Sequence, residues 1–553
     1  MKKTEKSVWR LYLLSAVFCV AVVGLLTRLV GLSVVDRPFL MKQSQARILR
    51  KIKLPAFRGM ITDRLATPLA VSTPVNSVWV NPKAFQATRK EMHDLSSILG
   101  VSGKWLANRV KKNKKREFVY IKRLIRPSVG EQVKALDIEG VFLQREYRRY
   151  YPEGESTAHI VGLTNVDDSG QEGMELAYNL WLAGQSGVKE VIKDRKGHII
   201  SNVKVIKQAK QGRDLVLSID HRIQYLAYQS LKETMDRFKA KSGSVVVLDA
   251  KTGEVLAMVN QPSYNPNNRP KVHDGRYRNR AETDIFEPGS VMKPFTIALG
   301  LESGKYTADT KIDTNPGWMR IGGYRIKDDL NYGVVTLTQL LQKSSNIAAA
   351  KILLSLDPTH YWMLLHEMGF GQRTHSGFPG ESAGVLERQP VWYPSVVATL
   401  AYGYGVAVTT LQLAKGYMIL ADGGINYPVS LLKLSKPPVG TRVLPEKVAK
   451  KIVAMLETVV QKGGTGTRAQ VPGFRVAGKT GTAYIASAKG YDRHRYMASF
   501  VGVAPVDNPR LVIAVVVRDP QGQHFGGLVA APVFAHIMKG SLQLLGIVPS
   551  SIQ

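Results

Sequence analysis

The chain has 553 residues, 44% of them apolar and 22% charged, which is ordinary globular composition with room for roughly three or four domains. A fibre and a disordered tail are excluded. Lys plus Arg number 76 against 43 Asp plus Glu, and at a net charge of +33 the exposed surface either meets anionic partners, such as nucleic acid, anionic lipid or a cell-wall polymer, or tolerates considerable self-repulsion.

The first 40 residues separate these classes. Leu11 to Thr27 carry no charge, and after Arg28 the apolar run resumes as Leu29 to Val35. That is long enough for a bilayer crossing of ~20 residues, with the Arg28 stem snorkelling. Lys2, Lys3, Lys6 and Arg10 precede the run against a single Glu5, which predicts a cytoplasmic tail at 1–10, an anchor at 11–35 and export of everything after it. Leu32-Ser33-Val34-Val35 offers no small-x-small cleavage pattern, so the anchor is expected to stay. Cys19, the one cysteine, lies inside it, which leaves the exported part without disulfides or cysteine metal sites and fits a bacterial envelope protein. Nucleic acid is thereby disfavoured as a partner.

From residue 41 to 150 there are 24 Lys or Arg against 8 Asp or Glu, densest at Lys111, Lys112, Lys114, Lys115 and Arg116. A solvated helix end explains such a cluster, and contact with anionic lipid or wall polymer is the functional alternative. Ser77 to Val80 and Val141 to Leu143 read as strands and Glu131 to Leu136 as helix, giving an α+β segment without a catalytic constellation.

Near residue 215 the texture changes. Asp214 to Ile219 reads as a strand, and Ile223, Leu226, Ala227 and Leu231 recur at helical spacing behind Asp220 as cap. Ser244 to Leu248 and Val255 to Val259 form a hairpin signal, 263 to 282 a long polar loop, and helical patterns dominate from 290 to about 460. Strands return at Arg475 to Tyr484, Met497 to Val503 and Leu511 to Val517, which predicts one sheet completed by both ends of the domain.

Three short motifs carry chemistry. In Pro288-Gly289-Ser290-Val291-Met292-Lys293, a helix beginning near Ser290 sets Ser290 and Lys293 within hydrogen-bond reach, the pairing of hydroxyl and amine that an activated serine needs. Ser-x-x-Lys alone is weak, since Ser201 to Lys204 repeats it. Ser344-Ser345-Asn346 reads as an inter-helix turn that also presents a hydroxyl and an amide to one cleft. Lys479-Thr480-Gly481-Thr482 lies in a strand-like stretch. Gly473 to Thr480 also satisfies the phosphate-loop pattern, but Phe474 and Val476 are bulky for such a loop and no convincing helix follows. The earlier Lys251-Thr252-Gly253 falls at the tip of the hairpin. No His-Glu-x-x-His or similar spacing suggests a metal, and no cofactor is indicated.

The order Ser-x-x-Lys, Ser-x-Asn, Lys-Thr-Gly is far more specific than its parts, and with Asp in the middle of the second motif, where this chain has Ser345, it is the signature of penicillin-binding proteins and class A β-lactamases. With Arg58-Gly59-Met60-Ile61-Thr62-Asp63-Arg64, Arg149-Tyr150-Tyr151-Pro152, His159 and Gly170 to Glu175, the chain resembles a class B penicillin-binding protein over nearly its whole length. Glu287 to Ser290, Gln342 to Asn346 and Ala530 to Phe534 resemble the cell-division members of that family, with Val291 and Met292 a small departure inside the first motif.

The resemblance implies an α+β chain: the transmembrane helix, an elongated pedestal at 36–214, a β-lactamase-like transpeptidase domain at 215–545 with a central antiparallel sheet flanked by helices, and a tail at 546–553. It implies a D,D-transpeptidase of peptidoglycan stem peptides at the division septum, in the bacterial inner membrane with the catalytic domain periplasmic. Ser290 would be the nucleophile and Lys293 its base. Ser344 would relay a proton, and Asn346 would hold Lys293 and the substrate amide. The backbone N–H groups of Ser290 and Thr482 would form the oxyanion hole, and Lys479, Thr480, Gly481 and Thr482 would bind the substrate carboxylate. Tyr402, Tyr404 and Tyr484 are candidates for the cleft wall. β-Lactams would acylate Ser290, and an FtsW-type glycosyltransferase and other division proteins would be partners. Two rival readings stay open: a division-complex scaffold, and a membrane-tethered β-lactam sensor or β-lactamase.

Overall fold

The computed structural model describes residues 5–193, 199–269, 275–487 and 490–549, so Lys2, Lys3, the middle of the 263–282 loop and residues 550–553 of the tail lie outside the described residues. The apolar helix Glu5–Val30 continues through the π-turn Gly31–Val35, and the membrane-competent stretch begins at Val8 instead of Leu11. The most apolar 18-residue stretch within its 28 residues has a mean hydropathy of 2.4. At 1.5 Å per residue the 28 residues reach about 42 Å, more than a ~30 Å hydrocarbon core requires. Arg28, near its end, lies 3.9 Å from Asp36.

Packing divides the chain into two compact units that are not contiguous in sequence. Residues 1–57, 74–148 and 184–212 form one, and residues 58–73, 149–183 and 213–553 the other. The expected boundary at residue 214 is therefore a boundary in sequence only. Residues 58–73 and 149–183 pack with the second unit because their apolar side chains, among them Ile61, Leu69, Ile160 and Met174, share its core.

In the first unit, Leu49–Leu54, Gly187–Lys193 and Ile199–Lys207 make a three-stranded antiparallel sheet. Val78 and Val80 pair with Val119–Ile125 and pack on the helices Arg89–Leu99 and Gly103–Lys112 through Leu95, Leu99 and Leu106. The strands expected at 77–80 and 141–143 are present within Pro68–Val80 and Val141–Tyr150, and the helix expected at 131–136 is Pro127–Ala135. The basic cluster 111–116 is exposed at the C-terminal end of Gly103–Lys112, where cations complement the helix dipole.

The second unit is built on five antiparallel strands, β1 (Ser242–Asp249), β2 (Val255–Gln261), β3 (Ala477–Ser487), β4 (Gly490–Ala504) and β5 (Leu511–Arg518), in the order β2-β1-β5-β4-β3. The predicted closure by both ends of the domain is thus realised. Helix α1 (His221–Phe238), capped by Asp220, and the C-terminal helix Ala531–Leu544 cover one face through Val245, Val515, Phe500 and Phe534. The other face packs on a helical body that includes α2 (Lys293–Glu302), α3 (Leu337–Lys343) and α4 (Asn346–Leu354). Two expectations need correction. Only Leu215–Val216 of the 214–219 stretch is strand, paired in parallel with Ile61–Thr62. The helical region is also interrupted by small hairpins, Lys311–Asp313 with Val334–Thr336 and Trp318–Ile321 with Tyr324–Lys327, whose pairs are too short to register as periodicity.

The 58–73 and 149–183 segments are fixed by buried charge. Glu175 receives Arg58 Nε at 2.5 Å and Arg149 Nε at 2.6 Å, with all three side chains almost wholly inaccessible. Asn179 accepts from Arg58 Nη1 at 2.8 Å. Such a cluster holds only while every partner is present.

Candidate active site

Ser290 lies in the 3-10 turn Gly289–Met292 that leads into α2, so the residue three ahead of it is the first of the helix. Lys293 Nζ is 3.0 Å from Ser290 Oγ. The turn is tight because Gly289 takes φ 62°, its N–H donates to Gly403 O at 3.1 Å, and β3 passes alongside. A Cβ on Gly481 would stand 2.3 Å from Ser499 Oγ, 3.0 Å from Val291 Cγ1 and 3.1 Å from Pro288 O, so the absence of a side chain in the third residue of Lys-Thr-Gly lets strand and turn approach closely.

The second motif enters through backbone geometry. Ser344 ends α3 in the left-handed region, φ 65°, a conformation uncommon outside glycine and one that turns its carbonyl and hydroxyl together toward Lys293. Lys293 Nζ donates to Ser344 O, lies 3.1 Å from Ser344 Oγ and 2.7 Å from Asn346 Oδ1. From β3, Lys479 Nζ donates to the same Ser344 Oγ at 2.9 Å. Ser290, Lys293, Ser344, Asn346 and Lys479 therefore converge on one point, three motifs drawn from positions nearly 190 residues apart.

Both lysines are completely buried. Burial pushes the Lys293 amine down to about 7, against the opposing pull of the Asp328 and Asp329 carboxylates. Burial and the neighbouring Lys293 charge push Lys479 well below the ordinary lysine range. A neutral Lys293 has two N–H groups and one lone pair. With Ser344 O and Asn346 Oδ1 taking the hydrogens, the lone pair is left for the Ser290 hydroxyl, so the geometry is equipped to activate a serine at neutral pH.

Thr480 Oγ1 and Thr465 Oγ1 share a 2.7 Å hydrogen bond, and Thr482 Oγ1 accepts from Gly526 N at 3.1 Å. Tyr404 Oη accepts from Tyr484 N at 3.2 Å, and the Tyr402 and Tyr404 rings meet edge to face at 5.8 Å. Glu287 ties this tyrosine loop to the Ser290 turn, accepting from Gly405 N at 2.8 Å and from Tyr491 Oη at 3.0 Å.

Several participants escaped sequence reasoning. Asp328 caps α4: its oxygens accept from Ser345 Oγ and Asn346 N at 2.6 Å each and from Ile347 N at 3.1 Å. Asn346 Nδ2 donates to Lys327 O at 3.0 Å, which sets the amide so that Oδ1 faces Lys293. Tyr496, His524 and Phe525 extend the aromatic row from Tyr484 at centroid distances of 5.2, 4.1 and 4.4 Å. No local pattern marks Asp328, Tyr496 or His524, since the contacts that bring each to the site are distant in sequence.

The competing motif readings are resolved. Lys479 and Thr480 lie inside β3, whose backbone pairs with β4, so Gly473 to Thr480 cannot cradle a phosphate. Lys251 sits at the β1–β2 turn and pairs with Asp422 at 2.6 Å. Asp63, Asp220 and His221 come within 4.8 Å of one another, but their oxygens are occupied by backbone N–H groups, His221 and Arg222.

Family models match in two places: a penicillin binding protein transpeptidase domain over residues 243–539 and a penicillin-binding protein dimerisation domain over residues 53–217. The chain is 41% identical over 551 residues to a probable peptidoglycan D,D-transpeptidase PbpC of Pseudomonas aeruginosa, covering 100% of this chain and 98% of that one. It is 40% identical over 558 residues to the peptidoglycan D,D-transpeptidase FtsI of Escherichia coli, covering 98% and 93%. Among solved structures it is similar to penicillin binding protein 3 of Mycobacterium tuberculosis complexed with aztreonam, at TM-score 0.70 and 28% identity over 90% of this chain and 98% of that one. It is also similar to the transpeptidase domain of Burkholderia pseudomallei penicillin-binding protein 3, at TM-score 0.56 and 43% identity over 60% and 97%.

Proposed function

The chain belongs to the class B penicillin-binding proteins and is a peptidoglycan D,D-transpeptidase, and from that premise we propose that Ser290 is its nucleophile and Lys293 the base that activates it. The observation that carries this reading is the 3.0 Å contact between Ser290 Oγ and a lysine whose buried amine is held near neutrality. Ser290 Oγ attacks the carbonyl carbon of the penultimate D-Ala and passes its proton to Lys293 Nζ. The oxyanion is received by the backbone N–H groups of Ser290 and Thr482. Cleavage of the C–N bond releases the terminal D-Ala, whose amine takes the proton from Lys293 through Ser344 Oγ. A neighbouring stem-peptide amine then attacks the ester, loses its proton by the same route and returns the hydrogen to Ser290 as the cross-link forms.

Asn346 holds Lys293 and the substrate amide, and Lys479, Thr480 and Thr482 receive the substrate carboxylate, the group that β-lactams also present. Tyr402, Tyr404 and Tyr484 wall the cleft. The ester formed with a penicillin is expected to be long-lived, as a transpeptidase requires, and not to turn over as in a β-lactamase. The apolar N-terminal helix anchors the chain. Its basic flank supports a cytoplasmic N-terminus in the inner membrane and a periplasmic catalytic domain, and the likeness to FtsI supports action at the division site beside an FtsW-type glycosyltransferase.

Intact-mass spectrometry of the full chain with a penicillin, beside Ser290→Ala, tests the assignment. One stable adduct on the wild type and none on the variant is the expected result. Absence of an adduct on folded wild type overturns it and leaves the scaffold reading standing.

A further inference from the structure

Trp318–Ile321 and Tyr324–Lys327 pair antiparallel across Gly322 and Gly323, with Trp318 opposite Lys327, Met319 opposite Ile326, Arg320 opposite Arg325 and Ile321 opposite Tyr324. Side chains alternate between the two faces of a strand, and cross-strand partners share a face. Met319, Ile321 and Ile326 lie on the face that packs against Ile347 and Ala350 of α4. Trp318, Arg320, Arg325 and Lys327 lie on the other, and all four are exposed.

The outward face has the marks of a binding surface. Residues 318 to 327 contain no carboxylate, so nothing on the hairpin neutralises its cations. Arg320 and Arg325 stand directly opposite one another, a like-charge pairing that weakens a hairpin in isolation, and local violations of this kind concentrate where function requires them. The Arg325 guanidinium lies 4.3 Å from the Trp318 ring centroid and holds the indole in place while leaving it 41% exposed. The hairpin is also fastened to the catalytic centre, because Lys327 O accepts from Asn346 Nδ2 and the next residue, Asp328, caps α4.

Resting on the transpeptidase reading, we infer that the face formed by Trp318, Arg320, Arg325 and Lys327 is a docking surface for the glycan strand whose stem peptide enters the active site. Charge complementarity selects the occupant: the carboxylates of successive stem peptides meet the three cations, and a sugar ring offers its C–H face to Trp318. The surface holds the polymer beside the cleft and adds nothing to the chemistry at Ser290. A penicillin carries no glycan strand, so its reaction does not use this face.

The test compares the full-length wild type with Trp318→Ala and Arg320→Glu, both leaving the buried face of the hairpin unaltered. Binding of solubilised, uncross-linked peptidoglycan strands is measured at low and high salt, alongside the rate of penicillin acylation. Strand affinity is expected to fall about tenfold in each variant, with a weaker salt dependence in Arg320→Glu and acylation within about twofold of wild type. Unchanged strand binding in both variants overturns the proposal, as does equal binding of strands stripped of their stem peptides. Loss of acylation together with binding in correctly folded variants also overturns it, since the residues would then act through the catalytic site. A wild type that penicillin does not acylate is a different failure, that of the transpeptidase reading.

Discussion

Asp328 and Asn346 are joined by a 2.6 Å hydrogen bond from the asparagine backbone N–H to the aspartate carboxylate, and the side chain of that same asparagine holds Lys293 at 2.7 Å. The cap of α4 and the setting of the Lys293 amine are thus one structure. Asp328→Ala leaves two N-terminal N–H groups and the Ser345 hydroxyl without their acceptor, so the stability loss expected is about 1–2 kcal/mol. Penicillin acylation of Ser290 should slow by about tenfold, as Asn346 loses its fixed orientation. Thermal unfolding and acylation kinetics measured on the same samples check both, and unchanged kinetics would show that Asn346 is positioned without the cap.

The pH dependence of acylation follows from Lys293. Only its neutral form can take the Ser290 proton, and burial brings that form within reach at about pH 7. The second-order rate constant for a penicillin should therefore rise with pH through an inflection near 7 and fall away on the acid side. An inflection near the ordinary lysine value would mean that the site is more hydrated than its full burial indicates.

Glu282 gives stability the opposite trend. It is fully buried in the turn Arg280–Thr283, with one oxygen accepting from Ser376 Oγ at 2.9 Å and the other unpartnered among the described residues. Burial, and then the Glu381 carboxylate, push it up to about 8. The folded state keeps a proton that the unfolded state releases, so this contribution is complete below pH 4.5 and is lost as pH rises through 8. Glu282→Gln should unfold at a higher temperature than wild type above pH 8, with the difference shrinking toward pH 5. A pH-independent difference would show that Glu282 does not hold the proton.

Glu175 neutralises two buried arginines at once. Glu175→Ala leaves Arg58 and Arg149 without their shared carboxylate, and a loss of about 3–5 kcal/mol is expected from chemical denaturation. Exposed ion pairs set the contrast: Lys450→Ala, which breaks the surface pair with Glu446, should leave the denaturation midpoint nearly unchanged.

Much of this protein was legible in its sequence because the signals are local. The uncharged run after Arg10 specifies an anchor by length alone, and the alternation and turn residues around Asp249 to Glu254 specify a hairpin that the structure contains. The order of the three motifs singled out Ser290, Lys293, Ser344, Asn346 and Lys479, which the structure brings within hydrogen-bond reach of one another, since each motif carries its own backbone requirement: a helix start, a left-handed turn, and a glycine beside a tight bend.

The tertiary structure decided what depends on distance in space. Nothing near Asp328 in the chain marks it as a cap, because the helix it closes begins at Asn346. Nothing near Arg58 announces Glu175, and a linear reading drew one domain boundary where packing interleaves three segments in each unit. The lowered proton affinity of Lys293 likewise has no sequence signature. It exists because the helical body and β3 exclude water from an amine that, exposed, would remain protonated.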